Sequence, residues 1–238
     1  MRIALIGYGK MGKAIEDVAK QRSHSIVLKI STNNLEDLTT ANLQKADVVI
    51  EFTNPASAMD NIKKCFIAGV PVVCGTTGWL ADWQEAKKEC NAYNSTFLYA
   101  SNFSIGVNIF FEINKRLAEL MSQQDTYNIQ LDETHHSQKK DAPSGTAITL
   151  AEDILLKISE KKKWVNSKSN NSNELSILSY RIDAVPGTHS VKYTSPVDDI
   201  EIIHTAHNRT GFANGAVLAA EYIYGKKGLF TMKDVLGI

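Results

Sequence analysis

The first hundred residues alternate between short apolar runs and longer amphipathic stretches. Residues 2–6 form an apolar run that closes on Gly7-Tyr8-Gly9-Lys10-Met11-Gly12, and residues 13–21 carry Ala14, Ile15, Val18 and Ala19 at helical spacing. Residues 25–30 and 47–52 read as the second and third strands. The third is nearly all apolar, as a strand covered on both faces would be. Pro55 fits the first turn of a helix that runs to Ala68 and stops at Gly69. A fourth strand over 71–74 ends in Gly75-Thr76-Thr77-Gly78, a helix follows over 80–93, and a fifth strand spans 96–100. Strand and helix in alternation predict a parallel sheet with helices on both faces.

Beyond residue 100 the texture changes. Residues 105–121 predict a long helix, 127–133 a half-exposed strand and 144–159 a second helix. The Ser/Asn-rich stretch 166–173 reads as a loop. Three strands at hairpin-like spacing, 175–182, 189–194 and 199–206, predict a mostly antiparallel sheet. An alanine-rich helix over 212–224, ending at Gly225, is expected to return to the first domain.

Composition narrows the classes. The 238 residues allow one large or two modest domains. With 26 basic and 26 acidic residues, no global field favours nucleic acid or a membrane surface. Cys65, Cys74 and Cys90 form no CxxC pair, and the opening apolar run is too short for a leader. Reduced thiols and a cytoplasmic location are expected.

Two groups of residues carry chemistry. Gly7, Gly9 and Gly12 follow the first strand and open the first helix, the arrangement that admits a dinucleotide pyrophosphate. The carboxylate that would hold an NAD ribose after strand two is missing, and Ser31 stands there instead. Serine does not repel a 2′-phosphate and Lys10 is near, so NADPH is expected to serve at least as well as NADH. Phe52-Thr53-Asn54-Pro55 and Gly75-Thr76-Thr77-Gly78 end strands facing the same crevice, where small and hydroxylated residues suit a nicotinamide and its ribose.

The second group is His135-His136-Ser137-Gln138-Lys139-Lys140-Asp141-Ala142-Pro143-Ser144-Gly145-Thr146. Imidazole moves a proton near neutral pH, and lysine holds a carboxylate or donates a hydrogen. Ser144 fits an N-cap, leaving the N–H groups of Gly145 and Thr146 to face an anion. Asp141 would orient a histidine or the lysine, or favour the helix start through its dipole. Adjacent histidines point apart and no third ligand is at a usual spacing, so no metal site is expected.

The chain resembles the 4-hydroxy-tetrahydrodipicolinate (dihydrodipicolinate) reductase family over essentially its whole length. Carrying the likeness are Gly7–Gly12, Phe52-Thr53-x-Pro55, Gly75–Gly78, Ser101-Asn102-Phe103-Ser104-x-Gly106-Val107-Asn108, the His135–Ala147 segment, and Thr210-Gly211-Phe212-Ala213-x-Gly215-Ala216.

The resemblance implies an α/β fold: a Rossmann-type dinucleotide-binding domain over 1–103 and 209–238, and an α+β substrate and tetramerisation domain over 104–208 that builds a homotetramer. It implies NADH or NADPH reducing a cyclic imine dicarboxylate in lysine and diaminopimelate synthesis. His135 would be the proton donor and Lys139 its catalytic partner. His136, Ser144, Gly145, Thr146 and, between the domains, Arg209 would hold the substrate. The turn Gly7, Tyr8, Gly9, Lys10, Met11, Gly12 would bind the cofactor with Ser31, Phe52, Thr53, Gly75, Thr76, Thr77, Ala100, Ser101, Asn102 and Phe103. The chain departs from the family pattern in a glycine turn one residue shorter than many, in Glu51 where aspartate is expected, and in a trimmed stretch between strands two and three. Another two-domain Rossmann reductase of a small amino or hydroxy acid is the alternative.

Overall fold

The computed structural model describes residues 1–208 and 210–238. The early apolar runs form strands: β1 Arg2–Ile6, β2 Ser25–Ile30, β3 Val48–Glu51, β4 Val72–Cys74 and β5 Thr96–Tyr99. Helices α1 Lys10–Gln21, α2 Thr40–Leu43, α3 Pro55–Ala68 and α4 Trp83–Ala92 connect them. The ends of α3 show how local chemistry sets the boundaries. The Asn54 side chain accepts the Ser57 N–H at 3.2 Å, Pro55 fills a first-turn position, and Gly69 ends the helix with a left-handed φ of 71°.

All pairings in this sheet are parallel, and its order is β11-β5-β4-β3-β1-β2, where β11 is Gly228–Phe230. The order reverses between β1 and β3, and in such sheets the ligand crevice lies there, outside the strands' carboxyl ends. Alternate residues of β1 enter different cores. Ala4 and Ile6 join one, and Ile3 and Leu5 join the other, which α7 (Thr210–Ile223) covers with Ala213, Ala216, Val217 and Ala220. The chain thus returns to this unit, which comprises Met1–Ile105 with Thr210–Ile238. Strand β11 was not anticipated. Three residues behind Gly225 are too few to show a period, and their pairing with β5 makes them a strand. The five-residue α8, Met232–Leu236, ends the fold.

The second unit is the stretch between, from Gly106 onward. The long helix α5, Ile105–Met121, leads into β6 Asn128–His135, α6 Gly145–Leu155, β7 Lys163–Val165, β8 Glu174–Arg181, β9 Gly187–Thr194 and β10 Asp199–Ala206. Leu131, Ile177, Val191 and Tyr193 of the sheet pack with Phe110, Ala118, Leu150 and Ile154 of the two helices.

The sheet order is β10-β9-β6-β8-β7, and it is mixed rather than mostly antiparallel. β9 pairs antiparallel with β10 and β6, whereas β6–β8 and β8–β7 are parallel. The expected hairpin between β8 and β9 does not form. Their short connection crosses the end of β6 instead, where the Ile182 N–H donates to the His135 carbonyl at 2.8 Å. Loop length suggested a hairpin, but the central position went to β6, whose inward face is fully buried.

Candidate active site

At the end of β1, Gly7 has φ +96°, and a Cβ there would run into the Phe52 carbonyl. Gly12 is pressed against the Gly7 carbonyl. Gly9 differs, because a Cβ there would meet nothing within 4 Å. Packing therefore does not explain Gly9, and the space beside the start of α1 is left open. Gly7, Tyr8, Gly9, Ser31, Phe52 and Thr53 line one cleft of about 390 Å³. Thr32, Leu35, Asn54, Ser57 and Asn61 complete its wall with Ile6 and Ile30. Of the rest of the turn, Lys10 is exposed and Met11 packs on a core.

No carboxylate lines this cleft. The Ser31 hydroxyl donates to Asn34 Oδ1 at 3.0 Å, and the Ser31 N–H donates to the same oxygen at 2.9 Å. Beside the cleft it is Lys29, not Lys10, that reaches the Tyr8 ring, 4.8 Å from its centroid. Lys29 also lies 2.8 Å from Glu16, and Lys20 2.6 Å. Hydrogen bonds from Lys20, Lys29 and Tyr8 hold the Glu16 carboxyl down at about 2.

The next turns are tied together underneath by Glu51, which is fully buried. Thr76 Oγ1 donates to it at 2.7 Å, Cys74 Sγ at 3.1 Å and Asn61 Nδ2 at 3.3 Å, and the Thr53 hydroxyl also bonds it. Thr76 Oγ1 accepts the Thr53 N–H at 2.7 Å as well, so its hydroxyl is used inside the protein. A Cβ on Gly75 would overlap the Phe52 ring, which lies 5.5 Å from that of Phe103. Thr77 and Ser101 are exposed, the Ala100 N–H donates to the Cys74 carbonyl at 3.3 Å, and Asn102 Oδ1 accepts the Ser104 N–H at 2.8 Å.

The second unit gathers the His135 segment around a different buried carboxylate. Glu133 and His135 are two apart on β6 and share its buried face. Register places His189 of β9 opposite Glu133, and Arg181 of β8 opposite His135. Glu133 is wholly buried. The Ser144 N–H donates to both of its oxygens at 3.1 Å, and Arg181 Nη2 donates to Oε1 at 3.2 Å. His135 Nδ1 stands 3.3 Å from Oε2, within ion-pair reach but off the line of a straight N–H···O bond. Burial alone would raise the Glu133 carboxyl, yet the surrounding polar groups of His135, Ser144, Ser179 and Arg181 hold it well below the usual carboxylate range.

His189 Nε2 lies 3.1 Å from Ser144 Oγ, and its ring meets that of His135 edge-on at 5.0 Å. Burial, reinforced by the His135 charge, pushes the His189 imidazole down to about 3. The ligand atoms of Glu133, His135 and His189 all lie within 4.8 Å of one another, a spacing a divalent cation could use. The guanidinium on Glu133 already supplies the positive charge there.

Lys139 Nζ is held by both oxygens of Asp141, at 2.8 and 2.7 Å, so Asp141 orients the lysine. Arg181 donates to the Lys139 carbonyl at 3.3 Å and to the Asp141 carbonyl at 2.6 Å, fixing the loop that carries them. Ser144 caps α6 by accepting the Ala147 N–H at 3.2 Å, which leaves the first N–H groups of the helix without helical partners. A Cβ at Gly145 would meet nothing within 4 Å, so the helix start is open to a ligand. His136 is half-buried and its carbonyl accepts the Lys139 N–H at 3.1 Å; Thr146 is half-buried in the first turn of α6. Arg209 lies outside the described residues.

Sequence reasoning missed Glu133, Arg181 and His189 as a group. The available signal was the two-residue spacing of Glu133 and His135 on an alternating strand. Their cross-strand partners needed the register.

Known proteins resemble the chain along its full length. A family profile described as dihydrodipicolinate reductase, N-terminus, matches residues 1–103, and one described as dihydrodipicolinate reductase, C-terminus, matches 106–236. A 4-hydroxy-tetrahydrodipicolinate reductase from Christiangramia forsetii is 50% identical, covering 99% of this chain and 98% of its own. One from Methanosarcina mazei is 35% identical, covering 99% and 89%. The dipicolinate-bound dihydrodipicolinate reductase from Paenisporosarcina sp. TG-14 shares the fold at a TM-score of 0.76, with 22% identity over 98% of each chain.

Proposed function

The chain belongs to the dihydrodipicolinate reductase family, and on that premise we propose how its residues divide the work. It reduces 4-hydroxy-tetrahydrodipicolinate to tetrahydrodipicolinate with NADH or NADPH, a step of lysine and diaminopimelate biosynthesis. Residues 1–103 and 209–238 are the dinucleotide-binding domain, and 104–208 bind substrate. The open space at Gly9, before a helix start, supports the cofactor assignment. Gly7 to Gly12 hold the pyrophosphate. The backbone of Gly75 to Thr77 and of Ala100 to Phe103, with Phe52 and Thr53, borders the nicotinamide. When bound, the reduced nicotinamide supplies the hydride.

The substrate roles rest on one observation above the others: a buried histidine beside a buried carboxylate, one loop away from an uncovered helix start. Water leaves the 4-hydroxy substrate, hydride is received at ring carbon four, and His135 gives a proton to the carbon beside it. The N–H groups of Gly145 and Thr146, with Ser144 shaping the turn, hold one substrate carboxylate, aided by His136. Lys139, aimed by Asp141, serves the other with Arg209. The assay that tests this reading follows oxidation of the reduced nicotinamide while the preceding synthase generates substrate in place. Turnover with that substrate, and none with simple keto acids, is expected. Turnover of keto acids instead would favour a general small-acid reductase.

Ser31 and the carboxylate-free cleft support use of NADPH at least as readily as NADH. Ser31→Asp is expected to raise KM for NADPH by roughly tenfold relative to that for NADH, because an aspartate repels the 2′-phosphate and accepts the 2′-hydroxyl. A wild-type enzyme that clearly prefers NADH in side-by-side Michaelis constants would remove the basis for this.

Assembly and location follow the family. Ile203, on β10 at an edge of the second sheet, is exposed at 60%, apolar surface that a second copy would cover. A homotetramer in the cytoplasm is the proposed state. Light scattering should give four times the 26.3 kDa chain mass, and a monomer mass would overturn it. No helix among the described residues is long and apolar enough to cross a membrane.

A further inference from the structure

His135 presents two ring nitrogens in unlike surroundings. Nδ1 is sealed from solvent and faces Glu133 Oε2 at 3.3 Å, an ion-pair distance off the line of a straight hydrogen bond. The side chain as a whole is 10% exposed, so its remaining exposure lies away from Nδ1. On the Nε2 side stands Gly187, where an added Cβ would lie 3.1 Å from that nitrogen. With glycine at 187, no side chain from that position presses on Nε2. A neutral histidine must place its one proton on one nitrogen, and the partner of the other decides which.

We propose that Glu133 is the positioning residue of the proton donor: it holds the proton of the neutral ring on His135 Nδ1, so that Nε2 is the atom that takes up a proton from solvent and, from the imidazolium so formed, gives it to substrate. Arg181 fixes Glu133 in turn. Its guanidinium binds Oε1 and the carbonyls of Lys139 and Asp141, so the carboxylate, the lysine loop and the Ser144 N–H share one frame. The parts correspond to the carboxylate and imidazole of a hydrolase triad, whose imidazole likewise gives a proton from Nε2. The inference rests on the reading of His135 as the donor.

Glu133→Gln separates the two ideas. Arg181 and the Ser144 N–H both need an acceptor at the Oε1 position, so they will draw the amide oxygen there. The amide NH2 then faces His135 Nδ1 and donates to it, which moves the ring proton to Nε2. The expected result is a kcat lower by roughly a hundredfold or more, with KM for the reduced nicotinamide within about twofold. Nitrogen-15 NMR of the histidine rings, at a pH well above the ordinary histidine value, supplies a readout that general loosening would not move. His135, assigned by the signal lost in His135→Ala, should be the Nδ1–H tautomer in the wild type and Nε2–H in Glu133→Gln. The wild-type spectrum stands even if the variant fails to fold, and an Nε2–H tautomer there would overturn the proposal. So would a Glu133→Gln enzyme with wild-type kcat when His135→Ala has lost activity. If His135→Ala itself kept full kcat, the donor reading would fail first.

Discussion

Replacing His135 with alanine should lower kcat by roughly 10²- to 10⁴-fold while KM for the reduced nicotinamide stays within about twofold. The size follows from what is removed. A positioned general acid contributes about that factor when a proton must reach carbon as hydride arrives. The alanine leaves water or nothing in its place, where the side chain is only 10% exposed. Cofactor affinity should not follow, because the residues proposed to border the dinucleotide belong to the unit of Met1–Ile105 with Thr210–Ile238, and His135 belongs to the other. The split between kcat and KM is the diagnostic part. A fall in both would indicate damage to the fold, and an unchanged kcat would refute the assignment. His135→Gln is the companion variant. It fills much of the space and can hydrogen-bond Glu133, yet it cannot give up a proton near neutral pH, so it should be nearly as slow.

How much of this was readable beforehand depended on whether the partners were close in sequence. The glycine turn was legible because Gly7, Gly9 and Gly12 act within one βα junction, and local geometry explains two of them without a ligand. The Ser144 cap was legible for the same reason, since it acts on an N–H three residues on. Glu133, Arg181 and His189 were not, since their meeting depends on β6 lying between β8 and β9. A hairpin reading of the later strands would have paired β8 with β9 and left Glu133 without either neighbour. Side-chain identity at Ser31 was read correctly as the lack of a carboxylate. Its hydroxyl, however, is engaged with Asn34, so the cleft is neutral at this point rather than lined by a free donor. Thr76 looked like a cofactor contact from its place after β4, yet its hydroxyl serves the buried Glu51. A strand-end position identifies the turn, and only the hydrogen bonds show which atoms of it remain for a ligand.

Acid should weaken the native state through His189 before it reaches the carboxylates. Burial holds this imidazole at about 3 in the folded chain, against an ordinary value of 6.5. Well above pH 6.5 the ring is neutral in both states and contributes no pH dependence. As the pH falls below that, the unfolded chain takes up a proton that the native state refuses, so unfolding gains free energy. At about pH 4.5, two units below the ordinary value, the loss is about 3 kcal/mol, and it levels off only once the folded ring protonates. Glu133 and Glu16 act in a lower window. Their folded values are depressed, so their stabilisation is present above the ordinary carboxylate value of 4.5 and is lost below it. His204 is also lowered by burial and weakens the fold in the same window as His189, which is why a variant is needed. His189→Gln keeps a polar group beside Ser144 and has nothing to titrate. Urea unfolding between pH 7 and 4.5 should therefore show the wild type losing about 3 kcal/mol more than His189→Gln. Parallel curves for the two proteins would mean that His189 is not held neutral in the native state. The inert neighbour would then be a second proton source 5.0 Å from His135, and the donor role would have to be divided between them.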